Sequence, residues 1–266
     1  MNALARTLRA EVRKLVTIRS TFIILAVGFV ISIAFGALVA FAPRHGRRSF
    51  GGTPILPPHG SAKWFLDSLA IFGQFALPLA LIIGVMMVTG EYRHKTVTST
   101  FLAEPRRTIV VAGKLTISAF AGFAVGITSA AGALVLGFIL VASSHGTVSL
   151  MLTQYKSVLG YVGAAALYAV YGAGLGALLK SQIATLIVGL GADLVVIPVI
   201  SGTLPSVARW LPGEAAQALA SGVQRSGFEN TNVNLLPWWG GVLILLAWGV
   251  VLAGVGAAMS IRRDVT

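Results

Sequence analysis

A polar segment at positions 90–108 contains the residue types best suited to binding another protein. A cluster of charged and aromatic side chains comes first, three apolar residues follow at helical spacing, and Pro105 then ends the run. This pattern predicts a short helix with an apolar edge and charged residues at its N-terminal end, which could dock into a groove on a partner. The candidate docking residues are Glu91, Tyr92, Arg93, His94, Lys95, Val97, Phe101 and Leu102.

Asp193 is the only acidic residue deep within a long apolar run of the sequence. An ionised carboxylate is costly at the depth of a bilayer core, so its side chain is expected to face protein or water instead of lipid. Two roles fit this expectation equally well. Asp193 could line a substrate pathway, or it could hydrogen-bond to a neighbouring helix.

The signatures of enzymes and metal sites do not occur in the sequence. It has no cysteine, no GxxxxGK[ST] phosphate loop, no HExxH zinc motif and no GxSxG nucleophile elbow. The glycines at 172–176, together with Gly122 and Gly126, lie in apolar runs, where small residues allow close helix packing. We therefore expect no catalytic residue, no metal and no nucleotide in this chain.

The composition excludes an ordinary soluble domain. Of the 266 residues, 56% are apolar and only 11% are charged, whereas soluble domains have about 25% charged residues. The net charge of +12 could suggest nucleic-acid binding. In a membrane protein, basic loops held against anionic lipid headgroups explain it better, so membrane lipid and not nucleic acid is the expected partner.

Six apolar runs are long enough to cross a bilayer, for which about 20 residues are needed. The sequence therefore predicts an all-α, polytopic membrane domain over 1–266, with Lys114 extending from the third span toward the headgroups. Residues 180–182 form the turn between the fourth and fifth spans. The predicted spans are 22–42, 65–89, 115–141, 158–179, 183–201 and 239–261.

The distribution of lysine and arginine predicts that both termini are cytoplasmic. With that orientation the inside segments hold more basic residues than the outside segments, although the cluster at Arg44–Arg48 would lie outside. A cleaved signal peptide is the less favoured interpretation of 22–42, because the apolar run exceeds the usual ~7–15 residues and Pro43 would follow the cut.

The segments outside the spans also have recognisable patterns. Residues 1–20 form a basic amphipathic helix, with Leu4, Leu8, Val12 and Leu15 on one face and arginines on another, which suits the membrane interface. Residues 43–62 are an irregular external loop rich in glycine and proline. The external segment 203–237 is expected to contain a short helix, 214–220, lying at the outer surface.

The docking segment resembles the coupling loop of one family, the permease subunits of ABC type-2 transporters. The residues that match are GEYRHKTVTSTFLAEPRR at 90–107. The N-terminal segment, with Glu11, Lys14 and Arg19, resembles the family's interfacial helix. LLKSQ at 178–182 resembles its turn between the fourth and fifth spans, and WLPG at 210–213 resembles part of its external re-entrant segment.

The resemblance implies a multi-pass permease of the cell inner or plasma membrane that binds no ATP itself. ATP and Mg would belong to a separate ATPase subunit seated on the coupling helix, and a second permease, identical or different, would complete the pathway. The expected substrate is hydrophobic or amphipathic: a drug, lipid or peptide that is exported. An ion-coupled secondary transporter and a non-transporting structural subunit are the alternatives.

Overall fold

The computed structural model describes residues 3–41, 62–104, 106–143, 155–220 and 233–263. Within these ranges the secondary structure is helical, with short connections, and contains no strand. The helices are α1 (Ala3–Thr17), α2 (Arg19–Phe41), α3 (Ala62–Arg93), α4 (Val97–Ala103), α5 (Arg107–Ala142), α6 (Tyr155–Leu179), α7 (Gln182–Gly191), a π-helical turn (Ala192–Val196), α8 (Ile197–Thr203), α9 (Pro205–Ala208), α10 (Pro212–Leu219) and α11 (Trp238–Arg263).

Six helical segments are long and apolar enough to cross a membrane, so the protein is a multi-pass membrane protein. They lie in α2, α3, α5, α6, the continuous run from α7 to α8, and α11. This confirms the number and order of the predicted spans. The helices extend beyond the predicted bounds, most clearly at α3, which continues to Arg93, and at α5, which begins at Arg107.

Helix α6 is the centre of the bundle, because α3, α5 and α11 all pack along it. The contacts depend on glycines where backbones meet. A Cβ atom on Gly122 would collide with the carbonyl oxygen of Ala165, and one on Gly172 would collide with that of Leu81. The predicted packing role of these small residues is therefore confirmed.

The fifth span contains an irregularity at Asp193. Residues Ala192–Val196 form a π-helical turn, and Pro198 follows in the first turn of α8. Proline has no N–H to bond to the carbonyl four residues earlier, and its ring presses against that carbonyl. A wider π turn before Pro198 relieves this crowding, and such turns occur frequently at functional sites.

The segment predicted to be external contains the short helix that was expected there. It is α10, and residues Pro212–Ala218 are buried against α6 and α11. Glu214 is 2% exposed and accepts a hydrogen bond from Ser201 Oγ (2.7 Å). The predicted loop at 43–61 and the stretch 221–232 lie outside the described residues.

Close packing of α3 on α6 generates a prediction for Gly84. Its Cβ would fall on the carbonyl of Ala169, a backbone group that cannot rotate away. Gly84→Ala should therefore lower the free energy of unfolding by about 1–3 kcal/mol. Gly90 lies in the same helix with nothing within 4 Å of its Cβ position. Gly90→Ala should be neutral, or stabilising by up to ~1 kcal/mol. Thermal unfolding in detergent measures both, and equal unfolding temperatures would contradict the packing argument.

Candidate functional site

The carboxylate of Glu91 connects three other helices to the last turn of α3. It accepts hydrogen bonds from Lys14 Nζ of α1 (2.6 Å) and from Thr100 Oγ1 of α4 (3.2 Å). It also forms an ion pair with Lys114 Nζ of α5 (2.8 Å). The Glu91 side chain is only 8% exposed. The candidate coupling segment is thus attached to α1, α3 and α5 through one carboxylate.

Glu11 completes a group of four charges, hereafter the ion cluster: Glu11, Lys14, Glu91 and Lys114. Glu11 lies 3.0 Å from Lys14 Nζ and 3.3 Å from Lys114 Nζ. Each lysine therefore contacts both carboxylates, and each carboxylate contacts both lysines. The cluster is electrically neutral, which is what allows charges to be buried at this depth.

The side chains of the ion cluster are exposed to different extents. The side chain of Lys14 is 42% exposed, whereas those of Glu11 and Lys114 are 3% and 9% exposed. Partial burial alone would lower the pKa of the Lys14 ammonium, but its hydrogen bonds to Glu91 and Glu11 and their negative charges raise that pKa above its ordinary value. Lys14 therefore stays protonated, and its pairing is lost only as the pH rises through the raised value.

Lys114 corrects one sequence expectation. It was expected to reach toward the headgroups, but its side chain points into the bundle, where it pairs with Glu11 and Glu91. The physical reason is that two buried carboxylates from other helices compensate the charge more closely than lipid phosphate would. Sequence periodicity could not reveal this, because the three groups are far apart in the chain. The one available signal was Glu11, the only acid in α1.

The turn between α3 and α4 fixes the position of α4. The N–H of Thr96 donates to the carbonyl of Glu91 (2.9 Å), and the N–H of Lys95 donates to that of Tyr92 (3.3 Å). These two bonds form a Schellman motif, which requires a left-handed residue at Lys95 (φ 56°). Glycine usually takes this position, so lysine here carries a backbone strain of about 1 kcal/mol.

The two ends of α4 face in different directions. Val97 is half-buried and lines a small cavity between α4 and the bundle, whereas Leu102 is 79% exposed. The structure therefore separates Val97 from the predicted apolar edge. The side chain of Phe101 lies outside those described.

Exposed polar side chains precede and follow α4 in the chain. His94, Lys95 and Arg106 are exposed, and exposed Arg93 donates from Nη1 to Gln182 Oε1 (3.2 Å) at the start of the fifth span. Tyr92 is half-buried and lines the cavity behind α4. Arg19 begins α2 and is exposed. Leu102 and the exposed cations next to α4 in the chain, Arg93, Lys95 and Arg106, form what we call the α4 surface.

The cavity behind α4 has a volume of about 40 Å³. Its apolar walls come mainly from α5, α6 and α11, and Glu91 and Lys114 supply its polar end. A space of this size holds a few water molecules, and the polar end offers the partners that such waters need. The cavity therefore separates part of α4, at Val97, from close packing on the bundle.

Asp193 forms a second polar contact, far from the α4 surface. Tyr168 Oη of α6 donates to Asp193 Oδ1 (2.5 Å), and the Tyr168 side chain is fully buried. Of the two roles that the sequence left open, the interhelical hydrogen bond is present. Sequence reasoning missed Tyr168 because nothing in a helical pattern distinguishes a tyrosine that reaches a neighbouring span.

No family model matches this sequence, and a search of curated proteins finds no match.

The ion cluster predicts a specific pattern of coupling energies. Glu91→Gln leaves two lysines facing one carboxylate, and Lys114→Met leaves the reverse imbalance, so each should be destabilising. The double variant retains the neutral Glu11–Lys14 pair, so its loss should be smaller than the sum by about 0.5–3 kcal/mol. Glu104→Gln, a carboxylate change beside α4 and outside the cluster, should stay within ~0.5 kcal/mol of wild type. Chemical unfolding measures the cycle, and additive losses would contradict it.

The contact between Tyr168 and Asp193 generates a second prediction. Asp193→Leu removes the acceptor of a buried hydroxyl and should lower the free energy of unfolding by about 1–3 kcal/mol. Asp193→Asn keeps an acceptor and should cost less. Tyr168→Phe removes the donor of the same hydrogen bond and should be destabilising as well. Thermal unfolding in detergent measures all three variants, and wild-type stability of both Asp193→Leu and Tyr168→Phe would show that the hydrogen bond is incidental.

Proposed function

We propose that this chain is the permease subunit of an ABC type-2 exporter, coupled through α4 to a separate ATPase subunit. The observation that carries the proposal is the bonding of Glu91 to α1, α4 and α5 at once. A helix that merely connects two spans needs no such attachment. A helix that transmits movement from a partner to the bundle does need it.

The path of transmission follows from the contacts. A displacement of α4 acts on Glu91 through Thr100, and Glu91 belongs to α3. Lys114 extends the same connection to α5. Both α3 and α5 pack along the central helix α6, so a shift at α4 reaches the core of the bundle. Packed helices move as units, which allows a small shift to be passed on.

The exposed residues of the α4 surface indicate the chemistry of the partner that would bind there. In the described part of the chain Leu102 is 79% exposed, and the cations before and after α4 are exposed as well. The partner should therefore offer an apolar groove with acidic residues at its rim. In the proposed complex this partner is the ATPase subunit, which holds ATP and Mg, since the permease sequence has no phosphate loop.

The proposed complex contains two permeases and two ATPase subunits in the cell inner or plasma membrane, with the permease termini cytoplasmic. Residues 1–20 lie at the membrane interface. The second permease is another copy of this chain or a related one. Its substrate is a hydrophobic or amphipathic drug, lipid or peptide.

An ion-coupled secondary transporter is the competing function, and the contact between Tyr168 and Asp193 is the observation that favours it. Such transporters use intramembrane carboxylates to bind the coupling ion. Transport in proteoliposomes separates the two functions, because the exporter requires ATP and its ATPase, whereas the secondary transporter requires only an ion gradient. A non-transporting structural subunit would respond to neither.

The proposal predicts that Leu102 contributes to ATPase capture. Burying a leucine side chain is worth about 1.5–3 kcal/mol, so Leu102→Asp should weaken docking at least tenfold. Phe101→Asp is expected to act in the same way. The measurement is capture of the co-expressed ATPase by tagged permease in detergent.

The matched control is Leu204→Asp, which places the same change on an exposed leucine at the opposite end of the bundle. It should leave capture unchanged. Undiminished capture by Leu102→Asp and Phe101→Asp, or ATP hydrolysis by the permease alone, would overturn the assignment.

A further inference from the structure

Helix α1 has two faces of different chemistry. The inner face, with Glu11, Lys14 and Leu15, is held by the ion cluster and the core. The opposite face is exposed and combines arginines with valines, with Val12 45% and Val16 56% exposed. We call this opposite face the outer face of α1, formed by Arg6, Arg9, Val12, Arg13 and Val16.

The charged residues of the outer face are all arginines. They occur at intervals of three and four residues, which places them along one side of the helix. The single acid of α1, Glu11, is 2% exposed and lies on the inner face, turned toward Lys114. The amphipathic pattern read from the sequence placed Val12 opposite the arginines, but the structure places it among them.

The position of α1 is fixed at two points. Only Ile18 separates it from α2, where the first span begins at Arg19. Seven residues earlier, Glu11 pairs with Lys114 near the start of the third span. Because the middle and the end of a 15-residue helix, about 22 Å long, are both tied to span ends, α1 lies at the level of the lipid headgroups.

We propose that the outer face of α1 binds the headgroups of anionic phospholipids. Guanidinium groups match phosphate geometry with paired hydrogen bonds, and Val12 and Val16 can enter the acyl boundary between them. Lipid bound there holds α1 in the position that forms the ion cluster. Anionic lipid therefore strengthens the connection between α4 and the bundle. This regulatory effect rests on the proposed coupling function, whereas the binding itself does not.

The α4 surface is also basic, but its chemistry differs. Its exposed apolar residue, Leu102, extends from a helix that follows α3 beyond the end of the second span. The two surfaces can therefore be tested separately, since variants of α1 should alter lipid binding and variants of Leu102 should alter ATPase capture.

The binding experiment uses the full-length permease in neutral detergent, with native mass spectrometry to measure affinity for phosphatidylglycerol and for phosphatidylcholine of the same acyl chains. Wild type should prefer phosphatidylglycerol. Each arginine near an anionic surface contributes about a fivefold factor, so Arg9→Gln/Arg13→Gln should weaken phosphatidylglycerol binding roughly 30-fold. Binding of phosphatidylcholine should not change.

Three controls identify the cause. Lys156→Gln/Lys180→Gln removes the same charge away from α1 and should retain the preference. Arg9→Lys/Arg13→Lys keeps the charge and should retain most of it, which separates loss of charge from loss of folding. Inorganic phosphate at the lipid concentration should not displace phosphatidylglycerol, because it has no acyl chain.

The proposal is overturned if the Arg9→Gln/Arg13→Gln variant keeps the wild-type preference for phosphatidylglycerol. It is also overturned if Arg9→Lys/Arg13→Lys loses that preference to the same extent, or if free phosphate displaces phosphatidylglycerol. The regulatory effect has its own test. The ATPase activity of the reconstituted complex should rise with the phosphatidylglycerol fraction in wild type and not in the Arg9→Gln/Arg13→Gln variant. If no ATPase is captured in any lipid, the proposed function fails, while the binding result on the permease alone still stands.

Discussion

The arrangement of the protein at its α4 end depends on the neutrality of four charges, three of which are buried. Glu11, Lys14, Glu91 and Lys114 come from α1, α3 and α5, and none of the three buried groups could be buried there alone at an acceptable free energy. Because each contacts both partners of opposite charge, the set is satisfied only when all three helices are in place. The cluster therefore specifies the position of α1, which apolar packing alone would leave free to slide along the bundle.

The contacts within the spans follow a different principle. In a bilayer the hydrophobic effect does not drive helices together, because lipid is as apolar as their side chains, so close packing at small residues decides which helices touch. Gly84 and Gly122 provide this on α3 and α5, and α6 is the common partner. The bundle thus combines a centre held by close backbone contacts with one end held by charge compensation.

Hydropathy was sufficient to predict the six spans, their order and the small-residue packing, because these depend on composition over windows of ~20 residues. It was also sufficient to predict a short helix after the second span. It could not predict that Lys114 turns inward or that Glu214 is buried with α10, because both depend on a partner distant in sequence. The hydrogen bond from the Tyr168 hydroxyl to Asp193 could not be predicted for the same reason, because the two residues belong to different spans.

The carboxylates of Asp193 and Glu214 are held differently from those of the ion cluster. Glu91 is compensated by two ammonium groups, so separating it from them would leave uncompensated charge. Asp193 and Glu214 instead accept hydrogen bonds from hydroxyls of Tyr168 and Ser201, and a hydroxyl bonds to either the neutral or the charged form of a carboxyl group. Among the described residues, the part of the fifth span that follows α7 makes few other contacts with the bundle, and a π turn interrupts its helix. Breaking the ion cluster should therefore cost more free energy than breaking the contact between Tyr168 and Asp193.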